Sequence, residues 1–333
     1  MKNKLAIFGP YPPPLGGISV HLNRMEPFLQ KEKIDYIIFN HGFIENKNVV
    51  ATKKNLFWYL KLFFIKKHKV FHFHQFFSFH FIYYFFFSFF RKEKLIVTIH
   101  SERLLSYNKI AKTIILFFIS KTKRLKLLSV SQNLNEFLKS KGIESIFLPA
   151  YVPPINVKEI KIRKSKEMFL FSVWKFNEKL ANEIYNVPLA FEYLKHNKEK
   201  FTMLFMIGSK SDSDEKYLQQ LIREYDIKES IKVVFNESLV DYLNNCQFLL
   251  RPNLSDGFGV STQEAMDLGV PAIASDVCER PKGTILFKDN DLKDLSEKIE
   301  YAVNTPLKEI IARKENLNYH LTLVNIYKNS LKD

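Results

Sequence analysis

Short apolar runs that alternate with helix-like segments constrain the fold of this chain more than any other sequence feature. The runs in its first half predict strands at 4–9, 35–40, 69–75, 94–100, 125–131 and 143–150. Between the first two runs, Ile18, Leu22 and Met25 recur at helical spacing. Strands that alternate with helices predict an α/β fold with a mainly parallel, doubly wound sheet.

The same pattern restarts in the second half. A charged, proline-containing stretch at 151–167 predicts an interdomain linker, and apolar runs follow at 168–174, 201–209, 230–236, 246–253 and 271–277. A chain of 333 residues is long enough for two domains. We predict two Rossmann-like domains whose parallel sheets face each other across a cleft. Their ranges are 1–152 and 153–315, and a C-terminal helix at 316–333 packs back toward the first.

The positive charge lies entirely in the first half. Residues 1–152 hold 24 Lys and Arg against 8 Asp and Glu, a difference of +16, whereas residues 153–333 hold 26 against 27, a difference of −1. Such a half attracts polyanions, which include phosphorylated substrates, anionic lipid and nucleic acid. The alternative is a solvated lysine-rich surface.

Cysteine usage and the N-terminus favour the cytoplasm. Cys246 and Cys278 have no further Cys or His at ligand spacing, which argues against a disulfide framework or a structural zinc site. The N-terminal segment has a short apolar run before a proline cluster and no cleavage site of a secretory signal.

The uncharged aromatic stretch at 70–90 has three interpretations: a membrane span, a metal site and the interior of a domain. We expect a strand at 69–75 and a helix at 76–90, which is too short to span a bilayer. His72 and His74 share one strand face without an accompanying carboxylate or Cys, so they either line the cleft or are hydrogen-bonded in the core. If the helix has an exposed aromatic side, that side would lie against a bilayer. Residues 47–69 predict a basic amphipathic helix.

Glycine is rare here, and its clusters mark candidate phosphate sites. Of ten glycines, three fall in 1–17 and three in 257–269. Both clusters follow an apolar strand and precede a helix, where backbone amides and the helix dipole can bind a phosphate. A facing pair of such junctions predicts a ligand in the cleft.

Two carboxylates accompany the second cluster. Asp256 and Glu264 are seven residues apart, the first in a loop and the second on a predicted helix that starts after "GFGV" and stops at Gly269. Carboxylates repel phosphates, so we expect them to bind sugar and ribose hydroxyls while backbone N–H groups receive a diphosphate. The predicted donor-binding residues of this segment are Gly257, Phe258, Gly259, Val260 and Glu264.

The segment "RPNLSDGFGVSTQEAMDLGVPAIASDV" at 251–277 resembles the donor-site signature of family-4 retaining glycosyltransferases, which have the GT-B fold. Asp256 stands where that family commonly has Glu. The resemblance implies catalytic roles for Asp256, Glu264 and His100. It also implies that Gly16 and Gly17, in "GPYPPPLGGISVH", contact the donor phosphates. "RPKGTILF" at 280–287 resembles a branch that acts in bacterial surface-polysaccharide assembly.

One part of the family pattern is changed. The family presents an Arg and a Lys from "GR…KG" to the diphosphate, whereas this chain has Trp174 and Lys175 near the Arg position and "YNV" at 185–187. Lys175 and Lys179 are candidate substitutes, and the alternative is that they are ordinary surface residues.

The resemblance further implies a reaction without metal or other cofactor, with attack from the face on which the nucleotide diphosphate leaves. "SDSDEK" at 211–216 has the spacing of a metal-binding DxD, but Asp212 and Asp214 are better explained as acids at a helix N-terminus.

Three function classes stay open. The first is a hexosyltransferase at the inner face of the cell membrane, peripherally bound through its basic half, with a nucleotide sugar as donor and a lipid-linked or oligosaccharide acceptor. The second is a sugar-nucleotide epimerase or hydrolase. The third is a non-enzymatic basic module for membrane or nucleic acid, although the chain has no recognised nucleic-acid motif and we expect no nucleic-acid partner.

Overall fold

The computed structural model describes residues 5–13, 15–40, 45–52, 68–75, 80–100, 102–155, 157–158, 160–162 and 166–332. The chain divides into two compact units. The first is formed by residues 1–13, 17–152 and 318–333, and the second by residues 14–16 and 153–317.

The first unit is built on a parallel sheet. Its described strands are β1 (Leu5–Gly9), β2 (Tyr36–Asn40), β3 (Val49–Ala51), β4 (Val70–Gln75), β5 (Lys94–Ile99), β6 (Leu125–Ser129) and β7 (Ile146–Phe147). They lie in the order β3-β2-β1-β4-β5-β6-β7, and every pairing is parallel. The described helices are α1 (Gly17–Lys31), α2 (His80–Phe90), α3 (Arg103–Ser106), α4 (Lys109–Lys121), α5 (Gln132–Ser140) and α12 (Tyr319–Lys332).

Both faces of this sheet are buried, which is why its strands appear in the sequence as continuous apolar runs. Leu5 and Ile7 of β1 point into a core with α1 and α12, whereas Ala6 and Phe8 point into a core with α2, α4 and α5. The C-terminal helix α12 belongs to this unit, where Tyr327 lies 2.6 Å from His72 and Lys328 pairs with Glu32.

The second unit is also built on a parallel sheet. Its described strands are β8 (Glu167–Lys175), β9 (Phe201–Ser209), β10 (Ile231–Phe235), β11 (Phe248–Arg251), β12 (Ala272–Ser275) and β13 (Ile285–Phe287), in the order β10-β9-β8-β11-β12-β13. Its described helices are α6 (Glu178–Glu183), α7 (Val187–Asn197), α8 (Asp212–Glu224), α9 (Val260–Asp267), α10 (Leu292–Asn304) and α11 (Leu307–Ile311). The predicted α/β class with two parallel sheets is therefore confirmed.

The basic helix predicted at 47–69 is wrong where the structure describes it. Residues Val49–Ala51 form β3, which pairs with β2 because two β-branched residues there fit a sheet edge better than a helix. Residues 53–67 lie outside the described part of the chain, as do 76–79 of the helix predicted at 76–90; its described part is α2.

Candidate functional site

The carboxyl edge of the second sheet collects most of the predicted donor residues. Strand β8 ends at Lys175 and β11 at Arg251, and the two strands are parallel neighbours, with Leu250 opposite Phe171. The loop at 252–259 and the segment after β12 leave from the same edge. In open α/β sheets ligands bind at this edge.

Helix α9 begins at this edge on a glycine. Gly259 is its N-cap with φ +73°, a left-handed conformation that glycine adopts without strain. A Cβ on Gly259 would lie 2.5 Å from Nη1 of Arg280, whereas one on Gly257 would meet open space. The helix stops as predicted at Gly269, whose φ is +77°. Val260 is the first helical residue, one position earlier than the predicted start after "GFGV".

The carboxylate of Asp256 forms ion pairs with Arg251 and Arg280. Its carboxylate accepts hydrogen bonds from Nε and Nη2 of Arg251, from Nη1 of Arg280 and from the backbone N–H of Gly257. Burial opposes ionisation of Asp256, but the two guanidinium groups outweigh it and hold the pKa of the carboxyl well below its usual range. Burial would lower the pKa of Arg251, but the negative charge of Asp256 outweighs this and raises it.

The two arginines tie this loop to its surroundings. Arg251 also donates from Nη1 to Ser261 Oγ at 3.0 Å, which connects the end of β11 to the first turn of α9. Arg280 donates from Nε to the Ser275 carbonyl at 3.1 Å and from Nη2 to Ser275 Oγ at 3.3 Å. Asp256, Arg251 and Arg280 together carry one net positive charge beside the N-terminus of α9.

Glu264 is buried on the second turn of α9. A second polar group, Asn253, lies just beyond the end of β11, and its buried Oδ1 has no hydrogen-bond partner among the described residues. A buried acceptor left in this state costs stability unless a ligand or water satisfies it. The edge thus combines a glycine-started helix, a positive network and buried oxygen acceptors.

Gly16 packs against Trp174, next to the candidate donor residue Lys175. A Cβ on Gly16 would lie 2.6 Å from Nε1 of Trp174, and one on Gly208 would lie 2.5 Å from the Trp174 carbonyl oxygen. Because neither glycine has a side chain, Trp174 fits between them at the carboxyl edge of the second sheet. Lys175 ends β8, whereas the exposed Lys179 lies on α6 with its ammonium 3.9 Å from Glu183.

The first unit holds His100 and Gly17. Gly17 is the first residue of α1, and a Cβ there would meet open space. His100 follows β5, and its Nε2 lies 2.8 Å from Nδ1 of His74 on the neighbouring strand β4. The ring of His74 lies 4.2 Å from that of His72 and 5.5 Å from that of His21.

These histidines are neutral. Burial lowers the pKa of His100 to about 3 and that of His21 to about 4, and it lowers those of His72 and His74 well below 6.5. Both ring nitrogens of His72 have partners, Tyr327 Oη at 2.6 Å and Thr98 Oγ1 at 2.8 Å. His72 is therefore a hydrogen-bonded core histidine, which was one of the two sequence-based alternatives.

The tautomer of His100 follows from His74. Nε2 of His74 is buried and has no partner among the described residues. A buried N–H without a partner is rarer than an unsatisfied acceptor, so the proton of His74 belongs on Nδ1, from which it donates to His100. The proton of His100 then lies on its own Nδ1.

Asp212 and Asp214 occupy the first turn of α8. Ser211 is the N-cap, and Asp214 completes a capping box with it. Among the described residues there is no group of three or more His, Cys, Asp or Glu side chains that could hold a metal ion.

Sequence reasoning missed Arg251, Arg280, Asn253 and Tyr327. Arg251 and Arg280 flank the recognised motif, but nothing in the sequence shows that both contact the carboxylate of Asp256. Tyr327 is 255 residues from His72, and nothing local in the sequence indicates their contact.

Comparisons with known proteins agree with this architecture. Residues 156–317 match the family model described as glycosyl transferases group 1. No curated protein sequence matches the chain. A glycosyltransferase structure from Rickettsia africae aligns at 17% identity over 100% of this chain and 99% of its own, with a TM-score of 0.72.

Two further solved structures share the fold. Anabaena HepE in complex with UDP-glucose aligns at 11% identity over 98% of this chain and 99% of its own, with a TM-score of 0.75. The lipopolysaccharide outer core galactosyltransferase WaaB aligns at 17% identity over 98% and 99%, with a TM-score of 0.65. Residues 156–317 thus match the group-1 glycosyl transferase model, in a chain whose two parallel-sheet units have the fold of GT-B glycosyltransferases.

Proposed function

We propose that the chain is a retaining glycosyltransferase that moves a sugar from a nucleotide-diphosphate donor to a lipid-linked glycan during bacterial surface-polysaccharide assembly. The observation that carries this proposal is the start of α9, where Gly259 opens a helix beside Arg251, Asp256 and Arg280 and one turn before Glu264. The match of residues 156–317 to group-1 glycosyl transferases supports it.

The donor diphosphate would bind at the N-terminus of α9. The helix dipole and the net positive charge of the arginine–aspartate network both favour an anion there. Each arginine donates three of its five N–H groups to protein oxygens, so both hold the loop in place and also attract the diphosphate through their charge. Lys175, at the end of β8, is a further cation at that edge.

Glu264 would bind a hydroxyl of the donor. Glu264 is buried on α9, and a sugar or ribose hydroxyl is a better partner for its carboxylate than a phosphate because like charges repel. The match to UDP-glucose-bound HepE is consistent with a nucleoside diphosphate sugar as the donor class. Backbone amides, the helix dipole and the cations at this edge can stabilise the charge on the leaving group, so we propose a reaction that requires no metal.

His100 would contact the sugar that is transferred. A neutral imidazole with its proton on Nδ1 can donate a hydrogen bond without introducing a positive charge beside the anomeric carbon. The leaving phosphate then takes the acceptor proton, and the new bond forms on the face that the nucleotide leaves. The product retains the anomeric configuration of the donor.

The basic first half supports an acceptor presented at an anionic membrane. Its difference of 16 charges contrasts with a near-neutral second half, so the first unit is attracted to lipid phosphates. We therefore place the enzyme peripherally on the inner face of the cell membrane.

A turnover assay tests this function. The protein is incubated with UDP-, GDP-, ADP- or CMP-sugars and a bacterial lipid extract, and nucleotide release and the glycolipid product are followed, with the anomeric configuration read by NMR. We expect one donor class to give an α- or β-linked product of unchanged configuration. Glu264→Gln should abolish transfer, whereas Asp267→Asn, on the same helix and paired with Lys314 at 3.0 Å, should not.

Other outcomes separate the alternatives. Epimerised or free sugar without glycolipid would indicate the epimerase or hydrolase instead. Retained transfer by Glu264→Gln would remove Glu264 from the donor site.

A further inference from the structure

Two neighbouring helices of the first unit expose large apolar side chains. On α2 these are Ile82, Phe86, Phe89 and Phe90, and on α4 they are Ile110, Ile114 and Phe117. Each set recurs every three or four residues and so forms one face of its helix. Phe90 and Ile110 are each 74% exposed. We call these seven residues the α2–α4 surface.

The α2–α4 surface is continuous. Rings contact one another from Phe86 to Phe85 at 5.3 Å, from Phe85 to Phe118 on α4 at 5.4 Å, and from Phe118 to Phe117 at 5.6 Å. Phe89 joins this row through Phe85 at 5.9 Å. Four of the five exposed phenylalanines in the described part of the chain lie here, and the fifth is Phe235. Contiguous exposed apolar patches of this kind mark binding sites.

The two helices of this surface carry no acidic residue, and Glu93, just beyond α2, pairs with Arg91. Residues 80–92 and 109–124 contain seven Lys and Arg and no Asp or Glu. Lys92, Lys109 and Lys121 are exposed, and the ammonium of Lys123 lies 4.6 Å from the centre of the Phe89 ring. Exposed lysines beside an apolar aromatic face are suited to the boundary between acyl chains and phosphates.

We propose that the α2–α4 surface docks on a lipid bilayer that carries anionic headgroups. Its aromatic side chains would enter the acyl boundary, and the surrounding lysines would contact lipid phosphates. At 11 residues, α2 is about 16 Å long against a hydrocarbon core of about 30 Å, so it lies in the interface. No helix among the described residues has both the length and the apolarity needed to cross a membrane.

This inference deepens the proposed function, on which it rests for the presence of a lipid-linked acceptor. It adds which helices meet the bilayer and which residues enter it. Donor binding in the second unit is a separate property, so a thermal-shift measurement with nucleotide sugars reports whether the protein is folded and donor-competent when vesicle binding changes.

The test is co-flotation of the full chain with vesicles of phosphatidylcholine alone or mixed with phosphatidylglycerol. We expect flotation only with phosphatidylglycerol, weakened by salt. Phe89→Ser combined with Phe90→Ser should lower the partition coefficient by about tenfold or more, and Lys121→Glu should lower it by about tenfold. Phe235→Ser is a matched control, because Phe235 is also an exposed ring under a lysine, Lys210 at 4.5 Å. Lys228→Glu is the control for charge.

Two results would overturn the proposal. One is equal flotation of the Phe89/Phe90 double variant and the wild type. The other is a wild-type oligomer that the double variant dissociates in sedimentation experiments while vesicle binding is absent, which would assign the surface to a second copy of the chain. Unchanged thermal shifts in both cases would leave the donor site unaffected.

Discussion

Replacing Asp256 with asparagine removes one negative charge from between two guanidinium groups and preserves the shape of the side chain. Asp256, Arg251 and Arg280 have side chains that are 11%, 19% and 1% exposed, so little water can replace the lost charge. Three charge-assisted hydrogen bonds to the carboxylate are weakened at once. The variant leaves the buried Arg280 and the largely buried Arg251 without this counter-charge.

The expected loss of stability is large. Removing one partner of a buried ion pair costs about 3–5 kcal/mol. Arg251 keeps its bond to Ser261 and Arg280 keeps two bonds to Ser275, so we expect the lower end, about 3 kcal/mol. For a unit of this size that corresponds to a decrease in the melting temperature of about 6–12 °C.

The effect also has a defined pH dependence. Because the pKa of Asp256 is lowered in the folded state, its contribution is fully present above the unfolded value of about 3.9 and is lost as pH falls below it toward the folded pKa. The difference in unfolding free energy between wild type and Asp256→Asn should therefore be constant from pH 7 to pH 5. It should shrink as the pH falls below about 4.

Urea unfolding followed by tryptophan fluorescence measures the difference in unfolding free energy between the wild type and Asp256→Asn. The chain has two tryptophans, and a Trp58→Phe background leaves Trp174, which lies in the second unit with Asp256. The matched control is Asp226→Asn, whose carboxylate pairs with Lys198 at 2.5 Å on the surface and should leave the midpoint unchanged. An Asp256→Asn midpoint equal to that of the control would refute the network as a source of stability.

Three further substitutions test other parts of the structure. Gly259→Ala should lower the free energy of unfolding by about 2 kcal/mol or more, because it forces a Cβ at φ +73° into the Arg280 guanidinium. Gly257→Ala should be near neutral, and the test compares the urea midpoints of the two variants. Tyr327→Phe removes a 2.6 Å partner of His72 and should cost about 1–3 kcal/mol in the same measurement. The lowered histidine pKa values mean that stability is present above the unfolded pKa of about 6.5 and falls on acidification, by about 1.4 kcal/mol per pH unit for each group. His100→Gln should reduce the dependence of the unfolding free energy on pH by about 1.4 kcal/mol per pH unit between pH 6 and pH 4. An unchanged dependence would show that His100 is not buried in its neutral form.

The strands were predictable because their burial on both sheet faces leaves a local signal. Strands β1, β5 and β9 each appear as an apolar run because their residues pack alternately into two cores, so the run itself locates each strand. Strand β3 was not predicted because it is three residues long and depends on pairing with β2. Its lysine-rich surroundings have helical spacing, and tertiary pairing outweighs that preference.

The candidate site was predictable in position and less so in chemistry. The glycine, Asp256 and Glu264 were found from their spacing within one segment. The partners of Asp256 were not found, because Arg280 is 24 residues away and reaches the loop only after β12 has paired with β11. His72 and His74 look alike in sequence, and only the distant Tyr327 distinguishes a fully bonded core histidine from one with a free ring nitrogen.

Calorimetric titration of nucleotide sugars into the purified full chain tests the central claim most directly, since everything else about the activity depends on a donor site at the start of α9. The structure predicts saturable binding of one nucleoside diphosphate sugar to the wild type. Binding should be lost in Gly259→Ala and weakened in Glu264→Gln, and it should be unchanged in Asp226→Asn. No binding by the folded wild type, or equal affinity in Gly259→Ala and the wild type, would contradict it.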